Sequence, residues 1–322
     1  MKTPNFWYES PGVTSSILLP ISYIYLMGSK IKRKLANPKK VDPIVISVGN
    51  LVAGGAGKTP IAIALSSLFF DKEVAFLTRG YGGNDIGPTL VDRSKDIVDK
   101  VGDEALLLAK HAPTWVSKDR HAGAIAAYNY GINIIIMDDG HQNNSLIKDI
   151  SIVVIDGHHG FGNKKIIPSG PLRENIKTGL DHADAVIIIG EDKNKVSQFC
   201  KPNCPLIHAR LVPTMDSESL KKNRVIALAG IGYPNKFFNT LKEMGCNVVD
   251  EYAFGDHHKY KNSEIRKIYD KSVELNAILV TTEKDWLRLP EEMKTLVKKV
   301  PIKIEWQDEK QIKNFLKLIT TK

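Results

Sequence analysis

Residues 43–60 constrain this chain more than any other stretch. Pro43-Ile44-Val45-Ile46-Ser47-Val48-Gly49-Asn50 reads as a buried strand, and Ile61, Ala62, Ile63, Leu65 and Leu68 begin an apolar helix. Between them lies the loop Val52-Ala53-Gly54-Gly55-Ala56-Gly57-Lys58-Thr59. A strand that delivers glycines to a helix N-terminus is a phosphate cradle, because the glycines let backbone N–H groups converge on phosphate oxygens. Lys58 can then reach the β- and γ-phosphates and the Thr59 hydroxyl can ligate Mg²⁺. The spacing is a variant: Val52 holds the place of the usual first glycine, and Gly54 and Gly55 are displaced inward. A plain glycine turn would explain the glycines alone, but not the strand before them and the Lys-Thr opening of a helix after them.

At 322 residues the chain exceeds one ordinary core and is expected to form two domains. Its net charge of +9 favours anionic partners. Three cysteines make no disulfide framework, and Cys200, Cys204 and His208 lack the further ligands of a metal site, so reduced thiols are expected. No nucleic-acid partner and no obligatory protein partner is expected.

The first forty residues stand apart. Phe6-Trp7-Tyr8 and the apolar run 17–27, broken by Pro20 and Ser22, precede Lys30, Lys32, Arg33, Lys34, Lys39 and Lys40. The run is too short for a spanning helix, which needs about 20 apolar residues. Its charges follow rather than precede it, unlike a cleaved signal. Aromatic and aliphatic residues flanked by lysines suit a segment lying in an anionic membrane surface; a core helix with a solvated basic end is the plainer alternative.

From residue 44 short β-rich runs alternate with helical stretches, as in a parallel sheet covered on both faces. Strands are predicted at 44–48, 73–78, 132–137, 150–155 and 184–189, with helices near 58–70, 102–111 and 119–130. A second series has strands near 224–229, 247–252, 277–281 and 301–305 and helices near 234–245, 262–275 and 308–319. The expected fold is α/β: a three-layer αβα domain of phosphate-loop type over 41–212, a second, smaller α/β domain over 213–322, and an N-terminal membrane-interface helix within 1–40.

The strand 132–137 ends in Asp138-Asp139-Gly140, where a carboxylate beside a phosphate cradle holds Mg²⁺ directly or through water. Asp103 and Glu104 open a helix, where acids commonly complement the dipole; Asp103 can equally serve as a general base in the crevice beyond the strand ends. Arg120 and Arg173 can each neutralise an anion in fork geometry, and glycines around Arg79 and Tyr81 permit close approach to phosphate or sugar. In Asp256-His257-His258 adjacent rings point apart, so one histidine paired to a carboxylate is expected rather than a metal site.

Taken in order, these motifs resemble the tetraacyldisaccharide 4'-kinases of lipid A synthesis, bacterial enzymes that phosphorylate a membrane-embedded acylated glucosamine disaccharide. The resemblance runs from Phe6-Trp7-Tyr8 and the loop 48–60 through Arg79-Gly80-Tyr81-Gly82-Gly83, Val101 to Glu104, Asp138-Asp139-Gly140 and Gly170-Pro171-Leu172-Arg173-Glu174. It continues in Ala229-Gly230-Ile231-Gly232, Asp256-His257-His258 and Thr281-Thr282-Glu283-Lys284-Asp285. The resemblance implies ATP and Mg²⁺ as cofactors and an acylated glucosamine disaccharide 1-phosphate as acceptor. It further implies a peripheral position at the cytoplasmic face of the bacterial inner membrane. It makes Asp103 the base toward the 4'-hydroxyl, assisted by His257, and makes Asp138, Asp139 and Glu174 organisers of Mg²⁺ with Lys58 and Thr59 on the nucleotide. Tyr81 and Arg120 become substrate contacts. One departure stands out: His141-Gln142-Asn143 replaces the family's bulky apolar residue followed by Gln-His. A nucleotide-switched GTPase or assembly factor is the alternative, although Asp192-Lys193-Asn194-Lys195 does not supply a guanine-reading element.

Overall fold

A computed structural model describes residues 4–69 and 72–320. Its strands are β1 Ile44–Gly49, β2 Val74–Thr78, β3 Thr89–Leu90, β4 Thr114–Val116, β5 Ile134–Asp138, β6 Ile150–Asp156, β7 Ala185–Ile189, β8 Leu206–Pro213, β9 Arg224–Ala229, β10 Asn247–Ala253, β11 Ile278–Thr282, β12 Lys298–Val300 and β13 Ile302–Trp306. The helices are α1 Val13–Ile17, α2 Leu19–Leu35, α3 Lys58–Ser66, α4 Val98–Val101, α5 Asp103–Leu108, α6 Arg120–Asn129, α7 Ile176–Asp181, α8 Pro234–Glu243, α9 Asn262–Glu274, α10 Glu283–Arg288 and α11 Glu309–Thr320. The helix expected over 58–70 ends at Ser66, is followed by a 3₁₀ turn at Ser67–Phe69, and its expected last residue lies outside the described residues.

Nine strands form the first sheet in the order β13-β8-β7-β6-β1-β5-β2-β4-β3, parallel except for the two outermost pairs. Successive side chains of a strand face opposite ways, so a strand covered on both sides must be apolar throughout. Ile46 and Val48 of β1 and Ile134 and Ile136 of β5 pack under α3, with Ile61 and Leu65. Val45, Ile135 and Met137 face the other way, against Ala124 and Ala127 of α6. Each such aliphatic side chain contributes ~1.5–3 kcal/mol on burial. Four parallel strands, β10-β9-β11-β12, form the second sheet, between Phe237, Phe238 and Leu241 of α8 and Ile265 and Ile268 of α9.

One boundary differs from the expectation. The chain leaves the second sheet after β12 and returns to the first: β13 pairs antiparallel with β8, and Ile312, Phe315 and Leu316 of α11 join the core under α3. The second unit therefore spans β9 to β12, and 301–320 belongs with the first sheet. The physical reason is the apolar face of the amphipathic α11, whose Ile312, Phe315 and Leu316 share one core with Ile187 of β7 and Ile207 and Ala209 of β8.

At the N-terminus, α2 turns its small and polar side chains inward. Leu19, Ser22, Leu26, Ser29 and Arg33, at helical spacing, are the less exposed positions. Ser22 Oγ donates to the Ile166 carbonyl at 2.8 Å, and Ser15 Oγ donates to the Ser169 carbonyl at 2.9 Å. Ile17, Ile21, Ile24, Met27, Ile31 and Leu35 point outward, exposed by 51% to 79%. Among the described residues no helix is long and apolar enough to cross a membrane.

Candidate active site

The loop after β1 places Lys58 and Thr59 as the first residues of α3, entered through Gly57 at φ +86°, a left-handed conformation that suits glycine. The first-turn N–H groups of a helix lack intrahelical acceptors and are available to a phosphate. Not all of the expected cradle is open: Ala53 N–H donates to Pro171 O at 2.7 Å and Ala56 N–H to Gly54 O at 3.0 Å, while Val52 is buried and bridges to Leu172. These three shape the loop, leaving Gly55 exposed and Gly54 and Gly57 to Thr59 half-buried. From the second unit, Tyr233 lies on Gly54, where a Cβ would meet its ring at 3.2 Å, and a Cβ on Gly232 would meet the Gly55 nitrogen at 2.9 Å.

The paired aspartates at the end of β5 diverge. Asp138 is buried; Thr59 Oγ1 donates to its Oδ2 at 2.9 Å, and its Oδ1 has no hydrogen-bond partner. Burial, then the nearby charge of Glu104, raise its pKa to about 7 against the opposing pull of Lys58. An orphaned carboxylate oxygen beside a threonine hydroxyl, at a helix N-terminus, is a donor set that fits a hard divalent cation. Asp139 leaves the strand at φ +55° and turns to the rim, where Arg173 Nη1 donates to both its oxygens at 2.9 and 3.0 Å and Lys58 Nζ lies 3.5 Å away. Burial alone would raise its pKa; Lys58 and Arg173 hold it at about 2. Glu174, expected beside these two, instead receives Arg33 Nη2 at 2.5 Å and Gln142 Nε2 at 3.0 Å. Among the described residues no three acidic, histidine or cysteine side chains converge as a ready-made metal cluster.

Asp103 opens α5 with only 1% of its surface exposed. His257 Nδ1 lies 3.2 Å from its Oδ2, Arg288 Nε 3.2 Å and Lys284 Nζ 4.0 Å, while Glu104 N–H donates to Oδ1 at 2.8 Å. Burial would push this carboxyl up, yet Lys284, His257 and Arg288 together hold it down at about 2. His257 is thus the ring on Asp103, while His258 faces Glu264 at 3.1 Å and packs on Phe254 and Tyr260. Tyr81, 63% exposed, lies over His257 with ring centroids 4.9 Å apart. Arg120, the first residue of α6, is buried; its Nη1 donates to Ser117 O at 2.5 Å and its Nε is unpartnered. Burial and then the like charge of Arg79 lower its pKa to about 10, against the opposing pull of Asp139 and Asp138.

Several residues escaped the sequence reading. Lys284 bridges Glu104 at 2.9 Å and reaches His257 Nε2 at 3.5 Å, and Asp285, fully buried, fixes Arg288 at 2.6 Å, Tyr260 at 2.7 Å and the Gly230 N–H at 3.0 Å. Their only signal was Thr281-Thr282-Glu283-Lys284-Asp285 itself. At the departure noted above, His141 packs beneath Gly49, with ring nitrogens on Ser151 Oγ and Gly179 O at 3.1 Å, and Asn143 Oδ1 accepts from Ser145 in a local turn. Asp192, the nearest candidate for a guanine reader, caps Val196 and Ser197 N–H groups at 2.7 and 3.1 Å.

The profile of one family, described as tetraacyldisaccharide-1-P 4'-kinase, matches residues 14–320. The chain is 43% identical over 311 residues to the tetraacyldisaccharide 4'-kinase of Paramagnetospirillum magneticum, covering 95% of each. It is 42% identical over 315 residues to that of Rhodospirillum centenum, covering 96% of this chain and 94% of the relative. Its fold is similar to a crystal structure described as the "apo" form of LpxK from Aquifex aeolicus in complex with ATP, with a TM-score of 0.77 at 28% identity over 95% of this chain and 99% of that one. A glycine-rich loop at the N-terminus of α3 and a buried Asp103–His257 pair, carried on a chain that matches this family almost end to end, mean that the protein belongs to the tetraacyldisaccharide 4'-kinases.

Proposed function

We propose that catalysis takes place between the two halves of one cleft, with Lys58, Thr59 and Asp138 on the nucleotide and Asp103 with His257 on the acceptor. The chain is an ATP-dependent kinase that moves the γ-phosphoryl group of ATP to the 4'-hydroxyl of a tetraacyldisaccharide 1-phosphate in lipid A synthesis. As the 4'-oxygen bonds to phosphorus, the bond from the γ-phosphorus to its bridging oxygen breaks, ADP leaves, and the hydroxyl proton passes to Asp103. The observation that carries this reading is the Asp103 carboxylate, buried yet ionised, with His257 Nδ1 at 3.2 Å orienting it. At a pKa of about 2 Asp103 is a weak base at rest. Phosphates entering the cleft raise its proton affinity by like-charge proximity, at the moment it is needed.

Thr59 and Asp138 would hold Mg²⁺, which when bound neutralises charge on the β- and γ-phosphate oxygens. Asp139 and Glu174 act at one remove in this proposal, because their charges are already balanced by Lys58 with Arg173 and by Arg33. Arg120 and Arg79 supply positive charge to an anionic group of substrate, and Tyr81 offers an exposed ring to the sugar. The outward aliphatic face of α1 and α2 and the lysines after it support a peripheral position on an anionic membrane surface, the cytoplasmic face of the inner membrane. The nucleotide-switch reading has no such support, since Asp192 is committed to a turn.

Incubating the purified protein with γ-labelled ATP and a tetraacyldisaccharide 1-phosphate tests the proposal. Label on the 4'-oxygen is the expected product, with transfer lost in Asp103→Asn. Release of free phosphate with no labelled lipid would overturn it.

A further inference from the structure

We propose that Arg33 is a positioning residue for the transfer, carrying the seat of the N-terminal helix on the enzyme into the nucleotide loop through Glu174 and Gln142; this rests on the kinase function above. Arg33 differs from its basic neighbours. Lys30, Lys32 and Lys34 are exposed and point away from the protein, whereas Arg33 ends the inward stripe of Ser22, Leu26 and Ser29. Its guanidinium meets a carboxylate that is only 6% exposed.

From there each contact leads to the next. Arg33 Nη2 donates to Glu174 Oε2 at 2.5 Å, and Gln142 Nε2 donates both to Glu174 Oε1 at 3.0 Å and to the Asn50 carbonyl at 2.8 Å. Gln142 Oε1 accepts from Arg173 Nη1 at 3.3 Å, and the same nitrogen grips Asp139. Lys58 Nζ closes the circuit, donating to Asn50 Oδ1 at 3.3 Å and lying 3.5 Å from Asp139. Lys148, which donates to the His141 carbonyl at 2.5 Å, adds a second positive charge toward Glu174.

A buried carboxylate left without its cation is costly, so it must find another partner or draw in a proton. Either response withdraws Glu174 from Gln142, frees Gln142 from Asn50 and Arg173, and lets Asp139 and Lys58 drift from the γ-phosphate. Because Arg33 sits on the helix whose other faces are proposed to meet the bilayer, a correctly seated helix and a correctly placed Lys58 become one condition. The expected consequence is a loss in kcat rather than in membrane binding.

The test uses the full-length protein with substrate dispersed in detergent, so that reaching a bilayer is not limiting. Losing a charge-assisted bond of this kind predicts that Arg33→Gln lowers kcat about ten- to a hundredfold with the KM for ATP changed less than about threefold. Glu174→Gln should lose a comparable amount, and the double variant Arg33→Gln/Glu174→Gln should be no slower than Glu174→Gln alone, since both act through one contact. Arg33→Lys should recover part of the rate, because a point charge can reach the carboxylate without the fork. Flotation of Arg33→Gln with anionic vesicles should equal wild type. Wild-type kcat in Arg33→Gln overturns the proposal, as do losses that multiply in the double variant or a lysine variant no better than the glutamine one. A wild-type protein that transfers no phosphate overturns the kinase reading instead, so the two failures are distinguishable. Should Arg33→Gln fail to fold, Arg33→Lys and Glu174→Gln carry the same comparison.

Discussion

The role proposed for Asp103 rests on its surroundings rather than on its residue type. An aspartate in the first turn of a helix needs no purpose beyond the dipole, but this one is buried and held ionised by Lys284, His257 and Arg288. Asp103→Asn keeps the volume and removes the acceptor, so kcat should fall ~10²–10⁴-fold with ATP affinity little changed; equal rates would remove Asp103 from the chemistry. His257→Ala should lower kcat far more than His258→Ala, because only His257 touches Asp103. Steady-state rates for the two variants check that ranking. Asp138 gives a pH signature. Its folded pKa of about 7 lies above the ordinary 3.8, so its contribution to stability is fully present below about pH 4 and is lost as pH rises through 7. Asp138→Asn removes that titration. Its urea midpoint relative to wild type, measured in chelator, should therefore rise between pH 5 and pH 8. Mg²⁺ at pH 8 should stabilise wild type and not the variant. Parallel pH curves for the two proteins would show that Asp138 does not titrate in this range.

Strands were legible where a β-rich run is long enough to stand out, and illegible where it is short or mixed with polar residues. β1, β2, β5, β6 and β7 are predominantly apolar, buried runs and stand out from the chain. β4 has only three residues, β12 is Lys298-Lys299-Val300, and β8 mixes His208 and Arg210 among its apolar positions and ends in Pro213, so none carries a pattern of its own. The strand, glycine-rich loop and helix of residues 44–66 were readable because their signals lie in consecutive residues. The support of Asp103 was not, because Lys284 reaches Glu104 from 180 residues away. The N-terminal segment was half readable: composition suggested an interfacial helix, but only the fold separates Arg33, bound to Glu174, from the outward lysines. Each basic side chain near an anionic surface is worth about 1 kcal/mol, so Lys30, Lys32 and Lys34 together replaced by glutamine should release protein from anionic vesicles, most at raised salt. Turnover on vesicle-embedded substrate should fall while turnover in detergent persists. Full vesicle binding at raised salt would reduce the cluster to a solvated helix end.

At the scale of the molecule, the two sheets are not successive beads. The first sheet is finished only by residues that follow the second, since β13 pairs with β8 from Ile302↔Pro213 to Trp306↔Ala209 and α11 covers the core beside α3. The phosphate loop is braced from both sides of this arrangement. A Cβ on Gly57 would strike Ile189 at 2.5 Å and approach Leu211 of β8 at 3.9 Å, while Tyr233 and Gly232 of the second unit crowd Gly54 and Gly55. Nothing in residues 301–320 announces this return, because a strand and an amphipathic helix fit the second sheet's alternation as well as the first's. Deleting 301–322 should therefore damage the domain that holds the active site rather than the one to which the segment is adjacent in sequence. The deletion uncovers the β8 edge and removes Ile312, Phe315 and Leu316, each ~1.5–3 kcal/mol of burial, against a total stability of ~5–15 kcal/mol for a domain. The truncated protein should lose its cooperative thermal transition and its ATP binding together. A fragment of 41–212 should likewise fail to fold, since it lacks the same cover, whereas 41–212 joined by a flexible linker to 301–320 should regain a cooperative melt. If 41–212 alone melts cooperatively and binds ATP, the C-terminal return is an accessory to the kinase domain and not part of its core.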